Sequence, residues 1–443
     1  MNGSIIKVIE STLNYVDPRL TDHGRRVAYL AYRVLRRQGA LSDERLEKLL
    51  LLAMLHDIGA YKTEEIDNMV RFETASVWEH SIYGHLFIKY FSPLAEMSPV
   101  LLFHHADCGE LGRVNASIRE TAQIINVADR FDILTQTSDL SPSEFKRQFT
   151  QAEGQRFDAS TLDLFFHSGW EHLFDGMDDS PEFHRLLYGR ELDRERMHAF
   201  ISMLALTIDF RSAQTVAHTQ ISTKACLAIA EYLDMDERER DGIFAAVMLH
   251  DLGKISTPLH ILEKPGKLDT QEKAIIEKHV DVGEALLTGV LDECGLLMAV
   301  RHHERLDGSG YPKGLTAKDL TTGQRLVAVG DILSALCSSR TYKEAYPKSK
   351  VMRIMGKMAA DGLIDPEITT VVLTHYNVII RKMEEATLPA LRLHSQVQAE
   401  YAALLRWVQK LQPSDGRRPY PTGDKDGWVP PPPKPTYFYA EER

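Results

Sequence analysis

The chain has 443 residues, of which 52 are basic and 63 acidic, so its formal net charge is −11. This length predicts two or three domains. A DNA or RNA polymer is excluded as a general partner because proteins that bind it present a basic face. A small anionic ligand stays open, since metal ions and a few local cations can supply positive charge.

Cysteine usage and the amino terminus indicate the compartment. The four cysteines form no CxxC pair, which argues against a disulfide framework and against a zinc ribbon. The first residues lack the basic and apolar blocks of a signal peptide. No apolar run reaches the length of a membrane span. We therefore expect a cytoplasmic protein without a membrane partner, and a homodimer is left open.

Apolar residues recur at three- and four-residue spacing along most of the chain, as in Val27–Val34, Ile243–Val247 and Val351–Met358. This period predicts an all-α fold. The tail differs, because Pro413–Pro435 is rich in proline and glycine and Pro430–Pro433 favours polyproline II. The tail is either loose or an extended arm whose aromatic residues dock on the body or on a partner chain.

Matching residues occur in the same order in the two halves of the chain. The pairs are His23 with His218, His56-Asp57 with His250-Asp251, His80 with His279, His104-His105 with His302-His303, and Asp129 with Asp331. The first histidine precedes the His-Asp pair by 33 residues in one half and by 32 in the other. Five matches in one order predict an internal repeat of two helical domains.

The repeat sets the predicted domain bounds. We place an N-terminal domain at 1–205 and a C-terminal domain at 206–395. Residues 141–200 are expected to be additional helical material that links them. Residues 396–443 hold the end of a helix and the proline-rich tail.

The second half concentrates residues that bind metal ions. His250 and Asp251 end an apolar helix, and the further candidates are His218, His279, His302, His303 and Asp331. Mixed imidazole and carboxylate ligation suits iron, manganese, nickel or zinc better than magnesium or calcium. Seven ligands are too many for one ion with open positions and suffice for two ions that share a carboxylate. Two ions a few ångströms apart suit phosphoryl chemistry.

Three cations near these residues are candidates for binding a phosphate. Lys254 lies about one turn past the His-Asp pair, and Arg340 and Lys343 follow Asp331. An ammonium or guanidinium group there can neutralise phosphate oxygens. The alternative for each is a solvated surface charge.

Residues 210–375 resemble the HD-GYP phosphodiesterases, a branch of the HD metallohydrolase superfamily. The matching segments are His250–Lys254, His279, His302–Glu304, Asp307–Pro312, Asp331 and Ser339–Lys343. The resemblance implies two tandem HD-type domains. It also implies hydrolysis of a cyclic dinucleotide to a linear dinucleotide by a hydroxide that bridges two divalent ions. Iron or manganese is favoured, with nickel or zinc as alternatives.

The resemblance also implies a role for each matching residue. One ion would be bound by His218, His250, Asp251 and Asp331, and the other by Asp251, His279, His302 and His303. Asp251 and Lys254 would be catalytic. The substrate would contact Lys254, Arg340, Lys343 and the loop Gly310-Tyr311-Pro312. Relatives with three ions carry a glutamate where this chain has Gln214, so two ions are predicted.

The first half resembles an HD domain with a similar ligand set, namely His23, His56, Asp57, His80, His104, His105 and Asp129. Ala60 stands where the second half has Lys254, and no Gly-Tyr-Pro follows His104-His105. We therefore expect a degenerate, regulatory domain that binds metal without efficient catalysis. Two alternatives stay open: the histidines are remnants in a helical core, or Lys62 substitutes for Lys254.

A degenerate HD domain followed by an HD-GYP domain is similar to bacterial phosphodiesterases for 3′,3′-cGAMP, which is the preferred substrate. Cyclic di-GMP is the alternative substrate. A receptor that binds the dinucleotide without hydrolysis is a different alternative, and the intact ligand set with Lys254 argues against it. A hydrolase for (p)ppGpp is disfavoured by the Gly-Tyr-Pro loop and by the segment around Arg340.

Overall fold

The computed structural model describes residues 4–16, 21–39, 41–60, 77–172, 177, 180–189, 192–212, 215–337 and 346–411. These residues form α-helices and short 3₁₀ turns, without an extended strand. Isolated β-bridges join Glu153 to Phe157 and Asp307 to Thr316. The all-α prediction is confirmed. Among the described helices, none combines the length and apolar character that a bilayer crossing requires.

The helices follow the chain in short, closely spaced segments. Those of the first half are Ser4–Val16, His23–Gln38, Asp43–Met54, Val77–Phe91, Ser98–Phe103, Ala116–Thr137, Pro142–Gln151, Ala159–Phe166, Pro181–Tyr188 and Arg194–Asp209, with 3₁₀ turns at Ala95–Met97, Cys108–Leu111 and Trp170–His172. Those of the second half are His218–Tyr232, Glu237–Leu249, Leu259–Leu262, Thr270–Glu277, His279–Leu287, Glu293–Val300, Thr322–Cys337, Lys348–Ala360, Pro366–Thr374 and Tyr376–Leu411, with 3₁₀ turns at Leu252–Ser256 and Ala317–Asp319.

The chain divides into two compact units. Of the described residues, 9–200 and 397–411 belong to the N-terminal unit, and 4–8 and 201–396 belong to the C-terminal unit. The end of the last helix therefore packs in the N-terminal unit. There the Tyr401 ring stacks on the Tyr83 ring with centroids 4.2 Å apart.

The segment expected to link the domains belongs to the core of the N-terminal unit. The Phe131 ring packs against Phe145, Phe165 and Trp170 at centroid distances of 5.4, 5.1 and 6.1 Å. Such aromatic pairs contribute about 0.5–1.5 kcal/mol each beyond the area that they bury. Residues 142–170 thus cover the helix that carries Asp129. The proline-rich tail lies outside the described residues.

The helix Glu237–Leu249 shows how local sequence positions a functional group. It begins with a capping box, in which Asp236 Oδ1 accepts from the Glu239 N–H at 2.8 Å and Glu239 accepts from the Asp236 N–H at 2.9 Å. Its residues from Ile243 to Leu249 are buried. The helix ends at His250, so the His-Asp pair lies at a buried helix end.

A glycine after each His-Asp pair allows a close backbone contact. A Cβ atom on Gly253 would lie 1.9 Å from the His279 carbonyl oxygen. In the other unit, a Cβ atom on Gly59 would lie 2.0 Å from the His80 carbonyl oxygen. Only glycine fits at either position. The two units therefore repeat the same contact between the His-Asp turn and the helix that carries the next histidine.

Candidate metal centres

Asp251 lies at the middle of the polar cluster in the C-terminal unit. Its Oδ2 is 3.7 Å from His218 Nε2 and 3.3 Å from His250 Nε2. Its Oδ1 is 3.5 Å from His279 Nε2. The carboxylate thus presents one oxygen to each of two sets of imidazoles, as a bridging ligand requires.

The ligands form two groups. We call His218, His250 and Asp331 the first side and His279, His302 and His303 the second side; Asp251 faces both. On the first side, Asp331 Oδ1 lies 3.2 Å from His218 Nε2. On the second side, the Nε2 atoms of His279 and His302 are 3.3 Å apart, and the His303 ring is 5.2 Å from the His279 ring. Ligand atoms lie within 4.8 Å of one another in each of two groups, His218 with His250 and Asp251, and His279 with His302 and His303.

Backbone carbonyls orient the imidazoles. His250, His279 and His302 each place Nδ1 2.6–2.7 Å from the carbonyl oxygen three residues earlier. Because a carbonyl only accepts, each Nδ1 carries a proton, and Nε2 is left as the nitrogen that can bind a metal ion. His250 Nε2 is buried and has no hydrogen-bond partner among the described residues. A divalent ion would satisfy this atom, so the donor set fits a metal.

Charge states on the second side also suit metal binding. Burial lowers the pKa of His303 to about 3 and the pKa of His302 well below its usual value, so both rings are neutral. Burial opposes ionisation of Asp251, but the charges of His250 and Lys254 outweigh it and hold the pKa of that carboxyl well below its usual range. Neutral imidazoles with an ionised carboxylate are the forms that bind divalent ions.

His250 differs from His302 and His303 in protonation. Burial disfavours its charge, yet the Asp251 carboxylate outweighs burial and raises the pKa of His250 to about 9. A metal ion must displace this proton.

Lys254 adds a cation to the first side. Its Nζ donates to Asp251 Oδ2. The turn that carries it is held by Arg211, whose Nη1 donates to the carbonyl oxygens of Lys254 and Ile255 at 2.9 Å each. The ammonium group therefore has a defined place beside the shared carboxylate.

The loop after the histidine pair borders the second side. Glu304 is buried and accepts from the N–H groups of Lys313 and Leu315 at 2.8 and 2.9 Å. The Tyr311 ring lies 4.7 Å from the His303 ring. A Cβ atom on Gly310 would lie 2.4 Å from the Arg305 nitrogen. The loop therefore packs tightly against the backbone at Glu304 and Arg305.

Three predicted positions cannot be placed. Arg340, Lys343 and Gln214 lie outside the described residues. In the N-terminal unit the same holds for Lys62, the residue considered as a substitute for Lys254.

The N-terminal unit brings its predicted ligands together in a second centre. Asp57 Oδ2 lies 3.6 Å from His23 Nε2 and 3.2 Å from His56 Nε2. Asp57 Oδ1 lies 3.8 Å from the Nε2 atoms of both His80 and His104. Ligand atoms lie within 4.8 Å of one another in each of two groups, His23 with His56 and Asp129, and Asp57 with His80, His104 and His105.

The surroundings of this second centre differ from those of the first. Buried Ala60 takes the position of Lys254. His23 Nδ1 pairs with Asp132 Oδ2 at 2.6 Å, whereas His218 Nδ1 faces Ser334 Oγ at 3.4 Å. Arg130 is buried beside Asp129.

Sequence reasoning did not find several of these residues. Arg130 directly follows Asp129, and Asp132 lies three residues after it. Because a charged residue on a helix usually faces solvent, neither was expected in the centre. The helix is buried continuously from Thr121 to Ile133. Recognising that burial would have placed both residues in the interior. Arg211 donates to backbone carbonyl oxygens 43 and 44 residues away, a contact that no local sequence pattern shows.

Comparison with known proteins finds similar sequences for both halves of the chain. Two family profiles, each described as an HD domain, match residues 20–134 and 202–368. The chain is 27% identical over 388 residues to 3′3′-cGAMP-specific phosphodiesterase 1 of Vibrio cholerae, covering 82% of this chain and 88% of the relative.

Other relatives match over a shorter length. The cyclic di-GMP phosphodiesterase response regulator RpfG of Xanthomonas campestris is 41% identical over 165 residues, which cover 37% of this chain and 44% of the relative. The chain thus spans less than half the length of that relative.

A solved structure supports the fold. The cyclic GMP-AMP specific phosphodiesterase V-cGAP3 of V. cholerae superposes with a TM-score of 0.54 at 19% identity, covering 85% of this chain and 98% of that one. At this identity the likeness concerns the fold alone. The two family matches show that this chain carries two HD domains.

Proposed function

We propose that the C-terminal unit is a metal-dependent phosphodiesterase that hydrolyses a cyclic dinucleotide to a linear dinucleotide, with 3′,3′-cGAMP as the preferred substrate. The observation that carries the proposal is the pair of ligand groups around Asp251 with Lys254 beside it. Phosphodiesterase names among the relatives support the reaction class.

The ligands are proposed to hold two divalent ions, of which iron and manganese suit mixed imidazole and carboxylate donors. When bound, the two ions acidify a water molecule and stabilise the charge on the attacking and leaving oxygens. Asp251 holds the two ligand groups together, since each of its oxygens faces a different side. Asp331 completes the first side through Oδ1.

Lys254 is proposed to bind the scissile phosphate. Its ammonium group pairs with Asp251 Oδ2, which is also the oxygen that faces His218 and His250. Asp251, His218 and His250 would hold a divalent ion at this side, and the ammonium group of Lys254 would then lie beside it, where it can bind a phosphate oxygen. A fixed cation there stabilises the charge that develops during hydrolysis.

The loop Gly310-Tyr311-Pro312 is proposed to form the wall of the nucleotide pocket. The Tyr311 ring lies against His303, next to the second side. An aromatic ring near a phosphate site can stack on a nucleobase regardless of its identity. The loop therefore supports a nucleotide substrate without distinguishing adenine from guanine.

The preference for 3′,3′-cGAMP rests on the extent of the match. The V. cholerae enzyme named for that substrate aligns with 82% of this chain and thus with much of both HD domains. RpfG, named for cyclic di-GMP, aligns with 37% of it. Cyclic di-GMP remains the second candidate, and a receptor that binds without turnover is the third.

Turnover measurements test the proposal. Purified protein is loaded with Mn²⁺ or Fe²⁺, given each cyclic dinucleotide separately, and the products are resolved. With either metal ion we expect linear product from 3′,3′-cGAMP. We also expect a higher kcat/KM for 3′,3′-cGAMP than for cyclic di-GMP. A higher kcat/KM for cyclic di-GMP would overturn the preference and leave the reaction class. Binding without linear product would favour the receptor.

A further inference from the structure

A buried arginine lies inside the N-terminal centre. Arg130 follows Asp129 on the helix Ala116–Thr137 and is 5% exposed. Its Nη2 is 3.3 Å from His105 Nδ1, and its Nε is 3.7 Å from Asp129 Oδ2. The corresponding residue after Asp331 is Ile332, so the C-terminal centre has no cation in this position.

Two side chains contact Nδ1 of His105. Arg130 Nη2 lies 3.3 Å from it and Asp129 Oδ2 lies 3.5 Å from it. A guanidinium group has only donors and a carboxylate has only acceptors, so one of the two can pair with Nδ1 in either tautomer of the ring. Protein side chains therefore occupy this nitrogen, and it is not open to a metal ion.

The positive charge of Arg130 also disfavours a second metal ion. The guanidinium group is a cation, and its contact with His105 places it beside the group formed by Asp57, His80, His104 and His105. A divalent ion in that group would be repelled by a buried cation at short distance. On the other side, His23 Nε2 and His56 Nε2 face Asp129 Oδ1 at 3.4 and 3.8 Å, away from the oxygen that faces Arg130.

We propose that Arg130 makes the N-terminal centre a site for one divalent transition-metal ion, bound by His23, His56, Asp57 and Asp129. The guanidinium group takes the place of the second ion and withdraws His105 from the ligand set. The two centres thus differ in metal content as well as in the phosphate-binding lysine. This inference concerns the N-terminal unit and is independent of the substrate of the C-terminal unit.

Metal content of the full chain tests the inference. The C-terminal centre is removed by His250→Ala with Asp251→Ala, the protein is loaded with Mn²⁺, and bound ions are counted by mass spectrometry after desalting. We expect one ion per chain. Adding Arg130→Ile, which installs the residue of the other unit, should raise the count to two and give the electron paramagnetic resonance signal of a coupled pair. A count of zero or two with Arg130 intact would overturn the proposal.

Two further variants make the result specific. Arg113→Ile removes the same charge from an exposed loop position and should leave the count at one. His105→Ala should also leave it at one, whereas loss of the ion would overturn the proposal. The His105 measurement decides the question even if Arg130→Ile does not fold, which circular dichroism would show.

Discussion

The two units arrange similar ligands around similar carboxylates, yet they differ in the charges nearby. In both, an aspartate faces two groups of histidines, and a glycine allows the next helix to approach. Lys254 supplies an outer cation in the C-terminal unit, whereas the N-terminal unit has Ala60 there and Arg130 within the centre. The ligand set alone therefore does not define what an HD centre can do; the position of the cation matters as much.

The largest expected contrast comes from removing each His-Asp pair in turn. His250→Ala with Asp251→Ala should reduce turnover by at least about a thousandfold, because the proposed metal activation is lost. The matched pair His56→Ala with Asp57→Ala should leave turnover measurable. Linear product is quantified for both with circular dichroism as a folding control. Complete loss in the folded N-terminal variant would contradict the regulatory role of that unit.

Replacing Lys254 makes the C-terminal centre resemble its counterpart. Lys254→Ala should lower kcat/KM by roughly 10²–10³-fold, the usual effect of losing one group that stabilises developing charge. Bound metal should stay the same, because the ammonium group is not a ligand. Kinetics and metal analysis on one preparation separate the two effects. A parallel loss of metal would show that Lys254 supports the ligands instead.

The loop gives a smaller effect. In Gly310→Ala, the new Cβ atom would lie 2.4 Å from the Arg305 nitrogen and 2.5 Å from the Glu304 Cα. The loop must then shift, and a misplaced pocket wall should raise KM by about tenfold while metal content is unchanged. Gly356→Ala, where the nearest neighbouring atom is 4.0 Å away, is the control. An unaltered KM would remove the loop from the pocket.

The smallest effect concerns stability near the first side. Burial raises the pKa of Asp209 to about 6, whereas Asn14 stands at the matching distance before His23. Since the folded-state pKa lies above the unfolded one, ionised Asp209 destabilises the fold by up to about 3 kcal/mol above pH 6, and this penalty disappears below about pH 4. Asp209→Asn should therefore raise the melting temperature of the metal-free protein at pH 8 and leave it similar at pH 4. An equal shift at both pH values would contradict this account.

Much of the fold and ligand set follows from local sequence. Helical periodicity in Val27–Val34 and Ile243–Val247 predicted helices there, and the structure has them at His23–Gln38 and Glu237–Leu249. The ordered histidines predicted which side chains would meet. Residues 141–200 were expected to be additional helical material that links the domains, because periodicity shows that a segment is helical without showing which helix it covers. Arg130 was not found because its role depends on the direction of its side chain, which sequence does not give.

The contact at Gly253 has a consequence for metal affinity. Because the His-Asp turn touches the backbone at His279, the distance between Asp251 and the second ligand group is set by main-chain packing and not by side-chain rotamers. Such a centre is organised before any ion arrives, so little conformational entropy is lost on binding. Tight metal binding can then accompany a substrate site that stays ready between turnovers.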